Sequence, residues 1–221
     1  MRKITLREPV LIYMYGMPGS GKSFVARQLS EEYGIAHVNS NLIRHTLFEK
    51  PSYDKNENHI IAGIMDMMTE QFLKAGVSVI YDISASRTAN RRSLREFAKY
   101  NKVKDMLIWV QIDTETAWSR NINRDKRKVD DKYSTALTEE QFNNQLKQMQ
   151  QPFNEDALVL SGKHLFSSQK NAIQKRLINM KMFDLDQLNQ KVARPELVNL
   201  VSKAQVRGSR PDISNRNIII R

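Results

Sequence analysis

Residues 16 to 23 read Gly16-Met17-Pro18-Gly19-Ser20-Gly21-Lys22-Ser23, a complete G-x-x-x-x-G-K-[ST] phosphate-binding loop. Such a loop works only when suspended between a buried strand and the first turn of a helix, so it constrains the fold as well as the ligand. The flanks comply. Val10-Leu11-Ile12-Tyr13-Met14-Tyr15 is an apolar run suited to a buried parallel strand. Phe24 to Tyr33 places apolar residues at Phe24, Val25 and Leu29 with polar ones between, as a helix covering a sheet does. The glycines let the backbone curl until successive N–H groups point at the α- and β-phosphates, and the helix N-terminus adds a partial positive charge there. Lys22 is expected to reach the β- and γ-phosphates and Ser23 to bind Mg²⁺. The expected ligands are therefore ATP and Mg²⁺.

Strand-like and helix-like runs alternate beyond the loop, the pattern of a parallel sheet covered on both faces. Ile35 to Val38 reads as a second strand, and Asn39-Ser40-Asn41 as the cap of a short helix reaching Phe48. Asp54 with Glu57 reads as a capping box opening a helix to Ala75, whose Ile60, Ile61, Ile64, Met65, Met68, Phe72 and Leu73 repeat at core-packing intervals. A third strand starts at Val77 and closes in Asp82; a helix covers Thr88–Tyr100; a fourth strand covers Met106–Ile112. A helix from Asp113 then runs into a charged stretch, Arg120 to Lys132. Thr138 and Gln141 form a second capping box, Ala157–Leu160 a fifth strand, and Ser167–Met182 a closing helix. The expected fold is α/β, a phosphate-loop NTPase with a five-stranded parallel sheet, nucleoside-kinase-like with an arginine lid. Residues 1–182 form that domain, and 183–221 a basic tail whose Ile218-Ile219-Ile220 docks on the body.

Asp82 ends its strand, and open parallel sheets gather ligands at the carboxyl ends of their strands. It is the expected acidic partner of the metal shell or of an acceptor group. Asn41 and Arg44 follow the second strand, where Arg44 is suited to forking an acceptor phosphate or carboxylate. Arg120, Arg124 and Arg127 fall four and three residues apart, as on one helical face. Crowded cations of this kind await a polyanion, so Arg120 and Arg124 are read as a lid that steadies charge on the transferred phosphoryl group. Lys126, Lys128 and Lys132 are read as solvated. His45 is expected to point away from the site.

Composition sets the remaining bounds. The chain has no cysteine, which excludes disulfides and thiolate metal sites and makes the cytoplasm the expected compartment. Arg2 and Lys3 ahead of an apolar run suggest a leader, but Glu8-Pro9 interrupts it and the run ends in the phosphate loop. No stretch approaches the length of a membrane span, so a membrane association is not expected, and a monomer is. A net charge of +11 favours polyanionic partners, nucleic acid first.

These motifs together resemble the small phosphate-loop kinases grouped with the AAA-type "33" domain, which include the kinase domain of phage polynucleotide kinase, the zeta toxins and chloramphenicol phosphotransferase. The resemblance covers roughly residues 9 to 180. It rests on the loop, on Asn39-Ser40-Asn41-Leu42-Ile43-Arg44, on Val79-Ile80-Tyr81-Asp82-Ile83-Ser84 and on Arg120-Asn121-Ile122-Asn123-Arg124. It implies transfer of the ATP γ-phosphoryl to a hydroxyl on a polynucleotide 5′-end, a nucleoside or a small molecule. The family's pattern after the second strand is usually Ser-Asp-x-x-Arg, with the aspartate taking the acceptor's proton. Here Asn41 stands there, and an amide can hold a hydroxyl but cannot accept its proton. The competing expectation is thus an ATP-binding module or slow ATPase with a regulatory or nucleic-acid-binding role.

Overall fold

The computed structural model describes residues 6–129 and 131–183. The chain divides into Met1–Asp184 and Leu185–Arg221. The second unit, and with it the expected docking of Ile218–Ile220, lies outside the described residues.

The first unit runs β1 (Val10–Tyr15), α1 (Lys22–Tyr33), β2 (Ala36–Asn39), α2 (Ser40–Leu47), α3 (Lys55–Lys74) and β3 (Val79–Ser84). It continues α4 (Thr88–Tyr100), β4 (Lys104–Gln111), α5 (Thr114–Ile122), α6 (Glu139–Gln148), β5 (Ala157–Ser161) and α7 (Phe166–Asn179). The strands form one five-stranded sheet in the order β2-β3-β1-β4-β5, every pairing parallel. All six residues of the central strand β1 are buried, as expected of a strand covered on both faces. Leu11, Tyr13 and Tyr15 join one core with Ile61, Met65 and Leu73 of α3 and Leu94 and Ala98 of α4. By the alternation of a strand, Ile12 and Met14 face the opposite layer, where α1 and α7 meet through an edge-on Phe24–Phe166 pair.

Two features of the sheet set up the site. The β1–β3 register slips between Tyr13 and Met14, which pair with Tyr81 and Ser84. Asp82 and Ile83 are thereby skipped on the β1 side, while Asp82 stays aligned with Asn39 of β2. β3 therefore runs on to Ser84 instead of closing in Asp82. Irregularities of this kind re-aim side chains beside functional sites. Asn39 caps α2 by accepting the Leu42 N–H at 2.9 Å, and Asn41 lies inside the first turn rather than in the cap.

Thr138 and Gln141 form both hydrogen bonds of the expected capping box. The box expected at α3 is only half formed. Asp54 accepts the Glu57 N–H at 2.8 Å, but the Glu57 carboxylate turns to the Ser52 N–H (2.6 Å) and hydroxyl (2.8 Å) and to Arg44.

Candidate nucleotide and acceptor site

The loop that follows β1 is held by the geometry its glycines permit. Gly19 has φ +81°, and a Cβ there would stand 2.2 Å from the Ala117 carbonyl oxygen of α5. Gly21, at φ +98°, is the N-cap of α1 in the left-handed region. No other residue type meets both demands without strain. The Lys22 ammonium folds back onto the loop, donating to the carbonyls of Gly16 (2.8 Å) and Met17 (2.9 Å). Its burial pushes the Lys22 pKa down to about 8, an effect opposed by the Asp82 carboxylate and reinforced by Arg124.

A cavity of about 800 Å³ opens from this loop. Its floor includes Pro18 through Ser23, with Asp82 and Asn41 beyond them. Asp82 is only 5% exposed, and its Oδ2 is clamped by two donors, Asn39 Nδ2 at 2.6 Å and His37 Nε2 at 2.9 Å. Among the described residues no hydrogen bond is made to Asp82 Oδ1. The α2 cap, the end of β2 and the carboxylate thus form one rigid unit at the cavity floor.

On the other flank Arg120 donates to the Gly162 carbonyl at 3.0 Å, beside Lys163 in the turn between β5 and α7. Arg124 also lines the cavity. Its buried Nε has no partner among the described residues, and burial lowers its pKa against the pull of Asp131. A buried guanidinium left short of an acceptor suits an anionic ligand.

Two expectations are corrected here. Arg44 does not reach the cavity: it is buried, pairs with Glu57, donates to Asn58 Oδ1 at 2.6 Å and lies 4.5 Å over the Tyr53 ring. Arg120, Arg124 and Arg127 do not share a helical face, because α5 ends at Ile122 and Asn123 caps it. Arg127 instead pairs with Asp125 at 3.0 Å on the surface. Lys126, Lys128 and Lys132 are exposed, as expected, although Lys126 also binds the Ser134 carbonyl and Lys128 lines the cavity. His45 stacks against Tyr133, ring centroids 5.9 Å apart, away from the cavity.

The sequence reading missed His37, Tyr53, Thr135, Gln145 and Lys163. Only His37 carried a legible signal, two residues before the strand end and on the same strand face as Asn39.

A family model described as AAA domain matches residues 11–152. No curated protein matches the chain in a sequence comparison. Among solved structures the chain is similar to Kti12 of Chaetomium thermophilum in complex with ADP-AlF3, at 16% identity and a TM-score of 0.59, covering 79% of this chain and 99% of that one. It is similar to an APS kinase of Mycobacterium tuberculosis in complex with AMPPNP and APS, at 16% identity and a TM-score of 0.54, covering 77% and 98%. It is similar also to a gluconokinase of Sinorhizobium meliloti, at 13% identity and a TM-score of 0.55, covering 86% and 99%. At these identities the likeness is one of fold, a phosphate-loop kinase fold.

Proposed function

The chain belongs to the AAA domain family, and from that premise we propose that it is a Mg-ATP-dependent phosphotransferase acting on a hydroxyl acceptor. One observation carries the reading: the cavity does not stop at the phosphate loop but is also lined by Asp82 and Asn41 beyond Lys22, leaving room for a second substrate beside the nucleotide. Similar folds holding ADP-AlF3 and AMPPNP support the choice of ATP.

The division of labour follows from the residues. The loop's N–H groups and Lys22 hold the triphosphate, and Arg120 and Arg124 bind its outer oxygens as a lid. Ser23 and Asp82 are oxygen donors at the cavity floor, and one carboxylate plus phosphates is the usual donor set for Mg²⁺. When bound there, Mg²⁺ would neutralise phosphate charge. Asn41 orients the acceptor hydroxyl. In the transfer, a bond forms from the acceptor oxygen to the γ-phosphorus and the bond from γ-phosphorus to the bridging oxygen breaks. ADP departs, and the acceptor's proton passes to solvent, or to Asp82 Oδ1 where Asp82 meets the acceptor instead of the metal. Phosphoryl transfer through a loose transition state depends chiefly on positioning and electrostatics, so a weak base is tolerable.

Replacing Lys22 by Ala is expected to lower transfer from γ-labelled ATP by about 10²–10³-fold, the usual loss for one preorganised electrostatic contact. Unchanged ATP binding and turnover in that variant would overturn the reading. Asn41 favours a second reading, an ATP-binding module or slow ATPase. Free phosphate as the sole product, in wild type and in Asn41→Asp alike, would select it. Labelled acceptor appearing only with Asn41→Asp would mean a kinase site that has lost its base.

A further inference from the structure

The order of the sheet divides the cavity. The ends of β2 and β3 lie on one flank of the loop and the end of β5 on the other. Lys163 and the Arg120 bond to Gly162 occupy the β5 flank. Asn41, Tyr53, Ser84 and Thr135 occupy the flank of β2 and β3. Gln145 joins them, because the end of α6 is tied to the turn after β3 by Gln150 N–H to the Ser86 carbonyl (2.8 Å) and Arg87 to Gln148 (2.8 Å).

The charge of this second flank is distinctive. Its carboxylates are Asp82 and Asp131, and among the described lining residues its cation is Lys128. Lys128 has acids on both sides. The Asp125 N–H donates to the Asp131 carboxylate at 3.3 Å, and Arg127 first, then Lys128, hold the Asp125 carboxyl below its usual range. Arg124 stands at the junction, within electrostatic reach of Lys22, Asp131 and Tyr53, and the lid role proposed above assigns it to the triphosphate. Arg44, the fork that an acceptor phosphate would need, is sealed behind Tyr53 against Glu57 and Asn58. A phosphorylated acceptor would therefore set its charge beside two carboxylates, with Lys128, itself flanked by acids, as the flank's cation and no guanidinium left to fork it.

What this flank offers instead is a flat ring and neutral hydrogen-bonding groups. Tyr53 is 40% exposed, yet fixed at both ends, its ring over Arg44 and its hydroxyl 2.6 Å from Thr135 Oγ1. We propose that the acceptor is an uncharged hydroxylated ring compound, a free sugar or a nucleoside, which lies on Tyr53 with one hydroxyl turned to Asn41 and Asp82. The proposal rests on the phosphotransferase reading and narrows it.

The test supplies γ-labelled ATP and Mg²⁺ to the full chain with D-ribose, D-glucose or adenosine. Each is set beside its charged counterpart, D-ribose 5-phosphate, D-glucose 6-phosphate or adenosine 3′-monophosphate, together with a 5′-hydroxyl oligodeoxynucleotide. Label is expected on a neutral acceptor, with kcat/KM exceeding that of its phosphorylated counterpart by about tenfold or more. Ser84→Arg, a change at an exposed position that supplies the missing fork, is expected to lower KM for the phosphorylated counterpart and leave KM for ATP unchanged. Label confined to phosphorylated or polynucleotide acceptors would overturn the proposal while leaving the kinase reading standing. Phosphate release with no acceptor labelled would overturn the kinase reading itself.

Discussion

Lys22 is stored in an unfavourable state. Its ammonium sits on two backbone carbonyls of a half-buried loop, and desolvation there lowers its pKa from 10.5 to about 8. A triphosphate brings negative charge to the same spot and favours the protonated form. As pH rises through about 8 the free protein loses the Lys22 proton, whereas the complex keeps it. ATP binding is therefore expected to take up a proton there, and affinity to fall as pH rises through 8. Titration calorimetry in two buffers of different ionisation enthalpy reads the proton directly, and no proton uptake near pH 8.5 would refute the coupling. The same shift has a stability sign. Between about 8 and 10.5 the unfolded chain binds more protons at this residue than the folded one, so this group's contribution to the stability of the ligand-free protein rises with pH across that window.

At the scale of elements, the site is braced by a buried ion pair rather than by the loop alone. Arg91 of α4 is fully buried, donates through Nε (2.9 Å) and Nη2 (2.6 Å) to Glu155, and through Nη1 to the Ala85 carbonyl at 2.9 Å. Its guanidinium lies 5.1 Å from the ring of Tyr15, the last residue before the phosphate loop. Glu155 also receives Arg95. One carboxylate ahead of β5 thus ties α4 to the turn after β3 and to the end of β1. Glu155→Ala leaves Arg91 charged and buried, and is expected to cost about 3–5 kcal/mol of stability, read from the denaturant midpoint. The double replacement Arg91→Leu with Glu155→Leu is expected to recover part of that loss, because it removes the stranded charge. Equal loss in both variants would mean that packing, not the ion pair, holds α4.

This pair marks where sequence reading stops. The strands, the loop and the caps at Asn39, Asp54 and Thr138 were legible because each is a local pattern with a local cause. Arg91 was not, for an arginine on an amphipathic helix looks the same whether it meets solvent or a glutamate 64 residues away. Arg44 misled for the same reason. Its position after β2 suited an acceptor fork, but Glu57 and Asn58, on the next helix, took its donors first. The arginines after Arg120 kept a helical spacing past Ile122, where the helix itself had ended. Asp82 was legible as an acid near a strand's carboxyl end, where it lines the cavity, whereas its clamp needed the pairing of β2 with β3.

Over the whole molecule the charge is +11, yet the described cavity does not distribute it evenly. Most of the lining cations gather around the phosphate loop and the β5 flank, and the flank beyond carries two carboxylates with Lys128. These two facts separate the salt dependence of the two substrates. ATP is held by charge, so its KM is expected to rise with salt. An uncharged acceptor exchanges no counterions on binding, so its KM at saturating Mg-ATP should stay within about twofold between 50 and 200 mM salt. A 5′-hydroxyl oligonucleotide drawn by the net charge alone would behave oppositely, its affinity falling by orders of magnitude over the same range. Measuring both in one salt series separates general attraction to polyanions from occupancy of the acceptor flank. If acceptor KM climbs with salt as steeply as oligonucleotide affinity falls, the acceptor is held by charge, and the positive surface rather than the Tyr53 flank selects it.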